Sequence, residues 1–171
     1  EFWRDEAGPW LIIRSSNSVR EMIANLGFTG HTLTFFIWQY FLFKFFHTPV
    51  AGSIANLLLM TAAVWMLVRT SSFSTLQKWL FALGFYPLYQ YAVFNRMYAF
   101  LVFFQCAYCA LYIAKPKQSL LRWVMLILMA ETHIIGMLAA IPLAVLDIAR
   151  TWRLEKKSKL ETLFYAFKFT F

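Results

Sequence analysis

The stretch VAGSIANLLLMTAAVWMLV, residues 50–68, decides the fold class of this chain. It carries no charged side chain, and Arg69 follows it directly. A helix needs about 20 consecutive, mainly apolar residues to cross the hydrocarbon core of a bilayer. The stretch therefore predicts a membrane-spanning helix.

Four further apolar runs surround this stretch, at about 30–46, 79–94, 97–114 and 121–149. The run at 79–94 contains Pro87 and is barely long enough to span a bilayer. The run at 121–149 is long for one crossing and carries the polar triplet Glu131, Thr132 and His133. It predicts either one tilted helix or two short helices that break near the triplet.

The composition supports a membrane protein. Of the 171 residues, 61% are hydrophobic, 20% aromatic and 14% charged, whereas soluble domains have roughly 45–50% apolar and about 25% charged residues. We therefore predict an all-α fold: a polytopic transmembrane helix bundle of about five spans, with an amphipathic surface helix.

The net charge of +8 does not indicate a nucleic-acid partner. Basic residues cluster at the ends of the apolar runs and in RTWRLEKKSK, residues 150–159. That distribution is typical of charges that set membrane topology beside an anionic leaflet.

The basic cluster also predicts the orientation, because cytoplasmic loops carry an excess of Lys and Arg. Residues 150–171 are expected to form a basic cytoplasmic loop and the start of a truncated further span. Five crossings then place residues 1–29 outside, ahead of the transmembrane bundle at 30–149. On this topology Lys115, Lys117 and Arg122 also face outward, which disagrees with the same rule.

A short helix is predicted in the outer segment by SVREMIANLG, residues 18–27. Ser18 and Glu21 form a capping-box pattern, and Gly27 suits the position that ends a helix. The spacing of Val19, Met22, Ile23 and Leu26 places these apolar side chains on one face of the helix. The helix is too short and too polar to cross a bilayer, so we expect it on the membrane surface or along the bundle.

Two adjacent carboxylates, Asp5 and Glu6, stand in FWRDEAGPW, residues 2–10. Partial desolvation beside the tryptophans of this segment, such as Trp10, would strengthen their basicity. A carboxylate there could then remove a proton from an acceptor hydroxyl. It could also hold a divalent ion through its oxygens, and the alternative is a hydrated loop end with a local Arg4 ion pair.

A second group of candidates surrounds Arg96. Tyr91 and Tyr98 lie close to it in sequence, and Gln90 and Asn95 add polar groups. A guanidinium fork beside aromatic rings suits a phosphate or pyrophosphate headgroup. The alternative is a snorkelling charge that only marks topology.

The remaining candidates are ionisable residues in or beside apolar runs. Glu131 and His133 could form a proton relay or tie helices together, although their i, i+2 spacing puts them on different helix faces. His31 could hydrogen-bond a sugar or acceptor, or cap the helix entrance. Cys106 and Cys109 lack partners in sequence for a redox or metal site and are interpreted as core residues.

The order of these features resembles one family, the polytopic membrane glycosyltransferases with the GT-C fold. These enzymes use polyprenyl-phosphate-linked sugars, and they include bacterial relatives of protein O-mannosyltransferases. The resemblance covers most of the chain. Its segments are WRDEAGPWLIIRSSNSVREMIANL (3–26), GHTLTFFIWQYFLF (30–43), FYPLYQYAVFNRMYAFLVFF (85–104) and ETHIIGMLAAIPLAVLDI (131–148).

The resemblance implies an enzyme at the outer face of the bacterial inner membrane. Asp5 would act as general base toward an acceptor hydroxyl with support from Glu6, and Arg96 would contact the lipid phosphate. The implied substrate-binding set is Trp10, His31, Tyr91, Arg96, Tyr98 and His133. The donor would be a polyprenyl-phosphate-linked sugar, no cofactor follows with certainty, and a divalent metal is compatible.

The sequence departs from the family pattern at two points. The Gly-His-Pro-Pro entrance of relatives is Gly-His-Thr-Leu here, at residues 30–33. The five-span topology also places Arg96 on the wrong side of the membrane, unless the span that contains Pro87 does not cross completely.

Two other functions stay open at this point. A transporter or flippase would use Glu131, His133 and Arg96 along a path near the bilayer midplane. A non-catalytic membrane scaffold would use the predicted helix at 18–27 to dock a partner.

Overall fold

The computed structural model describes residues 4–27, 33–114 and 119–168, with side chains at 7–27, 33–114 and 120–153. The described residues form helices and no strand. In chain order the helices are α1 (Arg4–Ser15), α2 (Val19–Leu26), α3 (Leu33–Phe46), α4 (Val50–Thr70), α5 (Thr75–Ala82), a π-helical turn (Tyr86–Gln90), α6 (Tyr91–Val93), α7 (Tyr98–Ala114), α8 (Ser119–Thr132) and α9 (Ile134–Lys168).

Two of the described helices are long and apolar enough to cross a bilayer: α4, and the part of α9 from Ile134 to Arg153. The segment Thr75–Val93 together with α7 counts as a third candidate if this pair, bent by 120°, is one broken span. Helix α3 has 14 residues, or about 21 Å at 1.5 Å per residue, short of the roughly 30 Å hydrocarbon core. The span at 50–68 is thus supported as α4, while the total of five spans is not.

The N-terminal segment contains one helix more than the sequence predicted. Helix α1 precedes α2, and both pack against α3. The N-cap half of the predicted capping box of α2 is confirmed, since the Glu21 amide donates to Ser18 Oγ at 3.1 Å. The Glu21 carboxylate accepts instead from the Asn17 amide at 2.8 Å, one residue before the expected donor. Gly27 ends the helix at φ +49°, a backbone conformation that favours glycine.

The long run at 121–149 folds back on itself. Arg122 Nε lies 2.6 Å from Asp147 Oδ1, although the two residues are 25 positions apart. In one continuous helix they would be separated by about 37 Å. Helices α8 and α9 therefore form an antiparallel hairpin, so the break near the polar triplet is confirmed and the single tilted helix is wrong.

The turn of this hairpin is compact. Thr132 Oγ1 donates to Met129 O at 2.7 Å, and the Ile135 amide donates to His133 Nδ1 at 3.2 Å. A Cβ built on Gly136 would lie 2.2 Å from Met129 O. Glycine, which lacks a Cβ, allows this close approach of the two helices. His133 caps the start of α9 through the bond from the Ile135 amide.

Helix α7 gives the bundle two distinct ends. At its start, the Tyr98 ring lies 5.7 Å from the His133 ring; at its other end, Tyr112 O accepts a hydrogen bond from Arg150. We call these the His133 end and the Arg122 end. Arg122 and Arg150 lie at the same end, so their predicted placement on opposite sides of the membrane does not hold.

The buried face of α4 consists of two small residues, Gly52 and Ala63, together with Asn56 and Met60. Met60 and Ala63 form one buried cluster with Ala92 and Ala99. Small side chains let two helix backbones approach closely, as in membrane bundles. The outer face of α4 exposes large apolar side chains such as Leu58 and Trp65, as a lipid-facing surface does.

Candidate functional site

A pair of side-chain amides joins α3 to the break before α7. Gln39 Nε2 donates to Asn95 Oδ1 at 2.6 Å, and Asn95 Nδ2 donates back to Gln39 Oε1 at 3.1 Å. The pair rests on Gly52 of α4, where a Cβ would come within 2.2 Å of Gln39 Oε1. Three helical segments thereby fix the position of Asn95, the residue before Arg96.

A second amide holds the break itself. Asn56 is 1% exposed, and its Nδ2 donates to Tyr91 O at 2.6 Å and to Phe94 O at 2.8 Å. The end of α6 leaves carbonyl groups without helical partners. Asn56 satisfies two of these carbonyls and stabilises the 120° bend.

An aromatic row crosses the same region. The ring centroids of Tyr86 and Tyr91 are 5.6 Å apart, those of Tyr91 and Tyr98 5.3 Å, and those of Tyr98 and His133 5.7 Å. These spacings are typical of favourable ring contacts. The structure thus brings together three residues of the predicted substrate-binding set, Tyr91, Tyr98 and His133.

Trp10 reaches this region from α1. It lines a small cavity of about 20 Å³ with Gln39 and Asn95, a volume that admits about one water molecule. Its ring also contacts Phe43 edge-on at 6.4 Å and lies 5.1 Å from the Arg14 guanidinium carbon. Trp10 and Asn95, the residue before Arg96, therefore line the same small cavity, whose walls are mostly apolar.

Arg96 is half-buried at the break, and its amide donates to Phe94 O at 2.8 Å. It lies in sequence between Asn95, which the amide pair fixes, and Tyr98 of the aromatic row. Arg96 could lie at the predicted outer side only if the segment with Pro87 does not cross the membrane completely. The bend of 120° between Thr75–Val93 and α7 is compatible with such an incomplete crossing.

The predicted catalytic pair is only partly covered by the structure. Asp5 and Glu6 occupy the first turns of α1, one helical turn before Pro9 and Trp10, which line the cavity. Their side chains lie outside the described set. His31 lies wholly outside the described residues.

Glu131 does not share a site with His133. Its side chain is exposed, whereas His133 is half-buried against Tyr98. This agrees with the i, i+2 spacing, which puts the two residues on different faces. The geometry brings His133, but not Glu131, to the region of Arg96.

An apolar groove of about 330 Å³ opens beside Tyr91. Its walls come from the bent segment and from α7: Leu80, Phe81, Gly84, Phe85, Tyr86, Pro87, Tyr91 and Val102. The groove meets the aromatic row at Tyr86 and Tyr91. It offers an apolar surface beside the aromatic row, on the segment that precedes Arg96 in sequence.

The sequence predictions missed Gln39 and Asn56, which organise the site, and Asp147, which pairs with Arg122 at the opposite end. The available signal was a polar group inside an apolar run: Gln39 and Asn56 are each the single amide of their run, and Asp147 stands among apolar residues. Such groups require partners inside a membrane protein. The partner itself is not visible in the sequence, because it comes from a distant segment.

Within the part of the chain that the structure describes, no group of three or more His, Cys, Asp or Glu is arranged to hold a metal ion. Asp5 and Glu6 fall outside the side chains described, so a divalent ion there stays a prediction. The chain matches no protein-family model, no curated protein and no solved structure.

Proposed function

We propose that this chain is part of a membrane glycosyltransferase of the GT-C type, which transfers a sugar from a polyprenyl-phosphate carrier to an acceptor hydroxyl. The observation that supports the proposal best is the convergence at the His133 end. Trp10, Tyr91, Arg96, Tyr98 and His133 come from three separate segments of the chain, and all lie around the break before α7.

The chemistry assigns one task to each charged group. The acceptor oxygen forms a bond to the anomeric carbon while the bond from that carbon to the phosphate oxygen breaks. Asp5 takes the proton of the acceptor hydroxyl, with Glu6 in support. Arg96 neutralises the negative charge that grows on the departing polyprenyl phosphate, and Trp10 provides a wall for the sugar.

The apolar groove beside Tyr91 supports a lipid-linked donor rather than a soluble one. A prenyl chain in this groove would bring its phosphate close to the break that carries Arg96. Burial of the chain would contribute binding energy through the hydrophobic effect. The proposal places the segment 1–29 at the outer face of a bacterial inner membrane, ahead of a bundle of about five spans.

The first experiment measures sugar transfer by the full-length protein in liposomes, with a panel of radiolabelled polyprenyl-phosphate monosaccharides. For Asp5→Asn we expect the rate to fall by at least about 100-fold, the usual contribution of a general base. Glu131→Gln removes an exposed carboxylate elsewhere and should leave transfer unchanged. Transfer by Asp5→Asn at the wild-type rate would overturn the role of Asp5.

The second experiment tests Arg96 by binding alone. A short-chain polyprenyl phosphate and the corresponding alcohol are titrated into wild type and Arg96→Gln. We expect the variant to bind the phosphate about tenfold more weakly or worse, because a charge-assisted hydrogen bond is lost, and to bind the alcohol equally well. Equal weakening for both ligands would show that Arg96 only supports the fold.

The transporter remains distinguishable in the same liposomes. If the wild type shows a pH-coupled flux but no sugar transfer, and Glu131→Gln abolishes that flux, the protein is a transporter and not a glycosyltransferase. A protein that shows neither activity and tolerates changes at Asp5, Arg96 and Glu131 would be a scaffold.

A further inference from the structure

A second apolar groove lies at the Arg122 end, between α7 and α9. It has a volume of about 170 Å³ and is lined by Tyr108, Cys109, Tyr112, Ile113, Leu143 and Leu146. The Tyr108 hydroxyl donates to Leu143 O at 3.0 Å, so its polar group is already engaged. A cavity of about 150 Å³ holds a benzene ring, so this groove accommodates a short segment of hydrocarbon chain.

A cation lies beside the groove. The Arg150 guanidinium carbon stands 4.1 Å from the centre of the Tyr112 ring, and one of its N–H groups donates to Tyr112 O. Arg150 is half-buried. A guanidinium has five N–H donors, so it retains donors for a further acceptor after this contact.

The charge of Arg150 is not balanced by the nearest carboxylate in sequence. Asp147 is 0% exposed and is bound by Arg122 at 2.6 Å. Among the described side chains, no ion pair joins Arg150 to another acid. Arg153 is exposed one turn further on, and the sequence continues with more basic than acidic residues through position 159.

The level of this cation along the helix also matters. Arg150 lies in the last turn of the candidate span Ile134–Arg153. Basic residues at the end of a span lie where the hydrocarbon core meets the headgroups. The groove extends from that level along an exposed apolar surface that includes Ile113 and Leu146.

We propose that this groove binds an anionic phospholipid, with part of one acyl chain between α7 and α9 and its phosphate on Arg150. The site is separate from the proposed sugar-transfer site, because the two lie at opposite ends of α7, which has 17 residues and is about 25 Å long. The inference does not depend on the proposed enzyme activity.

Native mass spectrometry of the purified full-length protein tests the proposal with phosphatidylglycerol and phosphatidylcholine of equal chain length. We expect the wild type to retain the anionic lipid about fivefold better, the usual effect of one basic residue at an anionic surface. Arg150→Gln should abolish this preference. Arg153→Gln, which removes an equal charge from an exposed position outside the groove, should preserve it.

The groove is tested independently of the charge. Cys109→Trp and Ile113→Trp each fill it from an exposed position and should lower retention of phosphatidylglycerol without a change in the melting temperature. Equal retention of both lipids by the wild type, an equal loss in Arg153→Gln, or full retention in both Trp variants would overturn the proposal. Release of the lipid by inorganic phosphate alone would do the same, since the site would then recognise only the anion.

Discussion

At the scale of single residues, the candidate site depends on a few polar groups that lie inside apolar helices. Gln39 and Asn95 hydrogen-bond to each other, and Asn56 donates to two backbone carbonyls at the break. Buried polar groups cost free energy unless they are hydrogen-bonded. These amides therefore specify one conformation of the segment that carries Arg96.

Gly52→Ala is the sharpest test of this arrangement. The added Cβ would come within 2.2 Å of Gln39 Oε1 and 2.4 Å of Asn95 Nδ2, so the ends of both amide side chains must shift. We expect a loss of about 1–3 kcal/mol in the free energy of unfolding, the usual cost of overpacking. Thermal and denaturant unfolding in detergent micelles would measure it.

Gly8→Ala is the matched control for that substitution. A Cβ at Gly8 meets no atom within 4 Å, and alanine is favoured over glycine inside a helix by about 0.5–1 kcal/mol. This variant should therefore be as stable as the wild type or more so. Equal destabilisation by both substitutions would show that the amide pair is not strained by a methyl group at position 52.

The sequence alone identified some of these residues but not their relations. Arg96, Tyr91 and Tyr98 were recognisable because a cation and two phenols lie close in sequence. Gln39 and Asn56 were not, because each is one amide in an apolar run and its partner lies 56 or 35–38 positions away. Such pairings depend on tertiary packing.

At the scale of helices, the hairpin of α8 and α9 is the main difference from the predicted topology. Its two arms are joined near the Arg122 end by an ion pair whose side chains are 1% and 0% exposed. Its turn places His133 against Tyr98. The ion pair and the candidate site are therefore connected through the same two helices.

Breaking this ion pair should destabilise the hairpin. Arg122→Ala leaves the Asp147 carboxylate buried without its main partner, and such losses usually cost about 3–5 kcal/mol. The double variant Arg122→Met/Asp147→Leu removes both charges and should recover most of that stability. Unfolding free energies in micelles would give both values.

Arg69→Ala serves as control, because Arg69 is exposed on α4 and should contribute little to stability. If Arg122→Ala were no more destabilising than Arg69→Ala, the pair would not hold the hairpin together.

The helices differ in how far sequence could predict them. Uniformly high hydropathy over 50–68 identified α4. The polar triplet in 121–149 indicated a possible break, with one continuous tilted helix as the alternative. The reversal of direction at His133 could not be predicted, because it requires the close approach of Gly136 to Met129 O and the pairing of Arg122 with Asp147. A charge near the end of an apolar run looks the same whether it marks topology or forms a buried pair.

At the scale of the whole molecule, α7 separates two regions of opposite character. The His133 end holds aromatic rings, amides and Arg96, while the Arg122 end holds the buried ion pair and the basic residues Arg150 and Arg153. If the basic end faces the cytoplasm, the candidate site faces outward, as the proposed function requires.

Cysteine labelling tests this arrangement directly. In a background with Cys106 and Cys109 replaced by Ser, Glu131→Cys lies at the hairpin turn and Arg153→Cys at the opposite end; both positions are exposed. We expect a membrane-impermeant maleimide to modify them from opposite faces of sealed vesicles. A single helix through 121–149 would instead bury position 131 near the bilayer midplane, where it would not react.

The ion pair between Arg122 and Asp147 has a consequence for biosynthesis. A lone Arg or Asp at the centre of a helix opposes its transfer from the translocon into lipid by about 2.5–3.5 kcal/mol, and the cost is smaller toward the ends. Arg122 lies in the first turn of α8 and Asp147 lies toward the end of the span Ile134–Arg153, so each opposes insertion by less than that value. Since Arg122 belongs to one arm and Asp147 to the other, each arm alone carries an unfavourable charge, and only the assembled hairpin is free of it. We therefore expect each arm to insert more readily when the other arm is present to neutralise its charge.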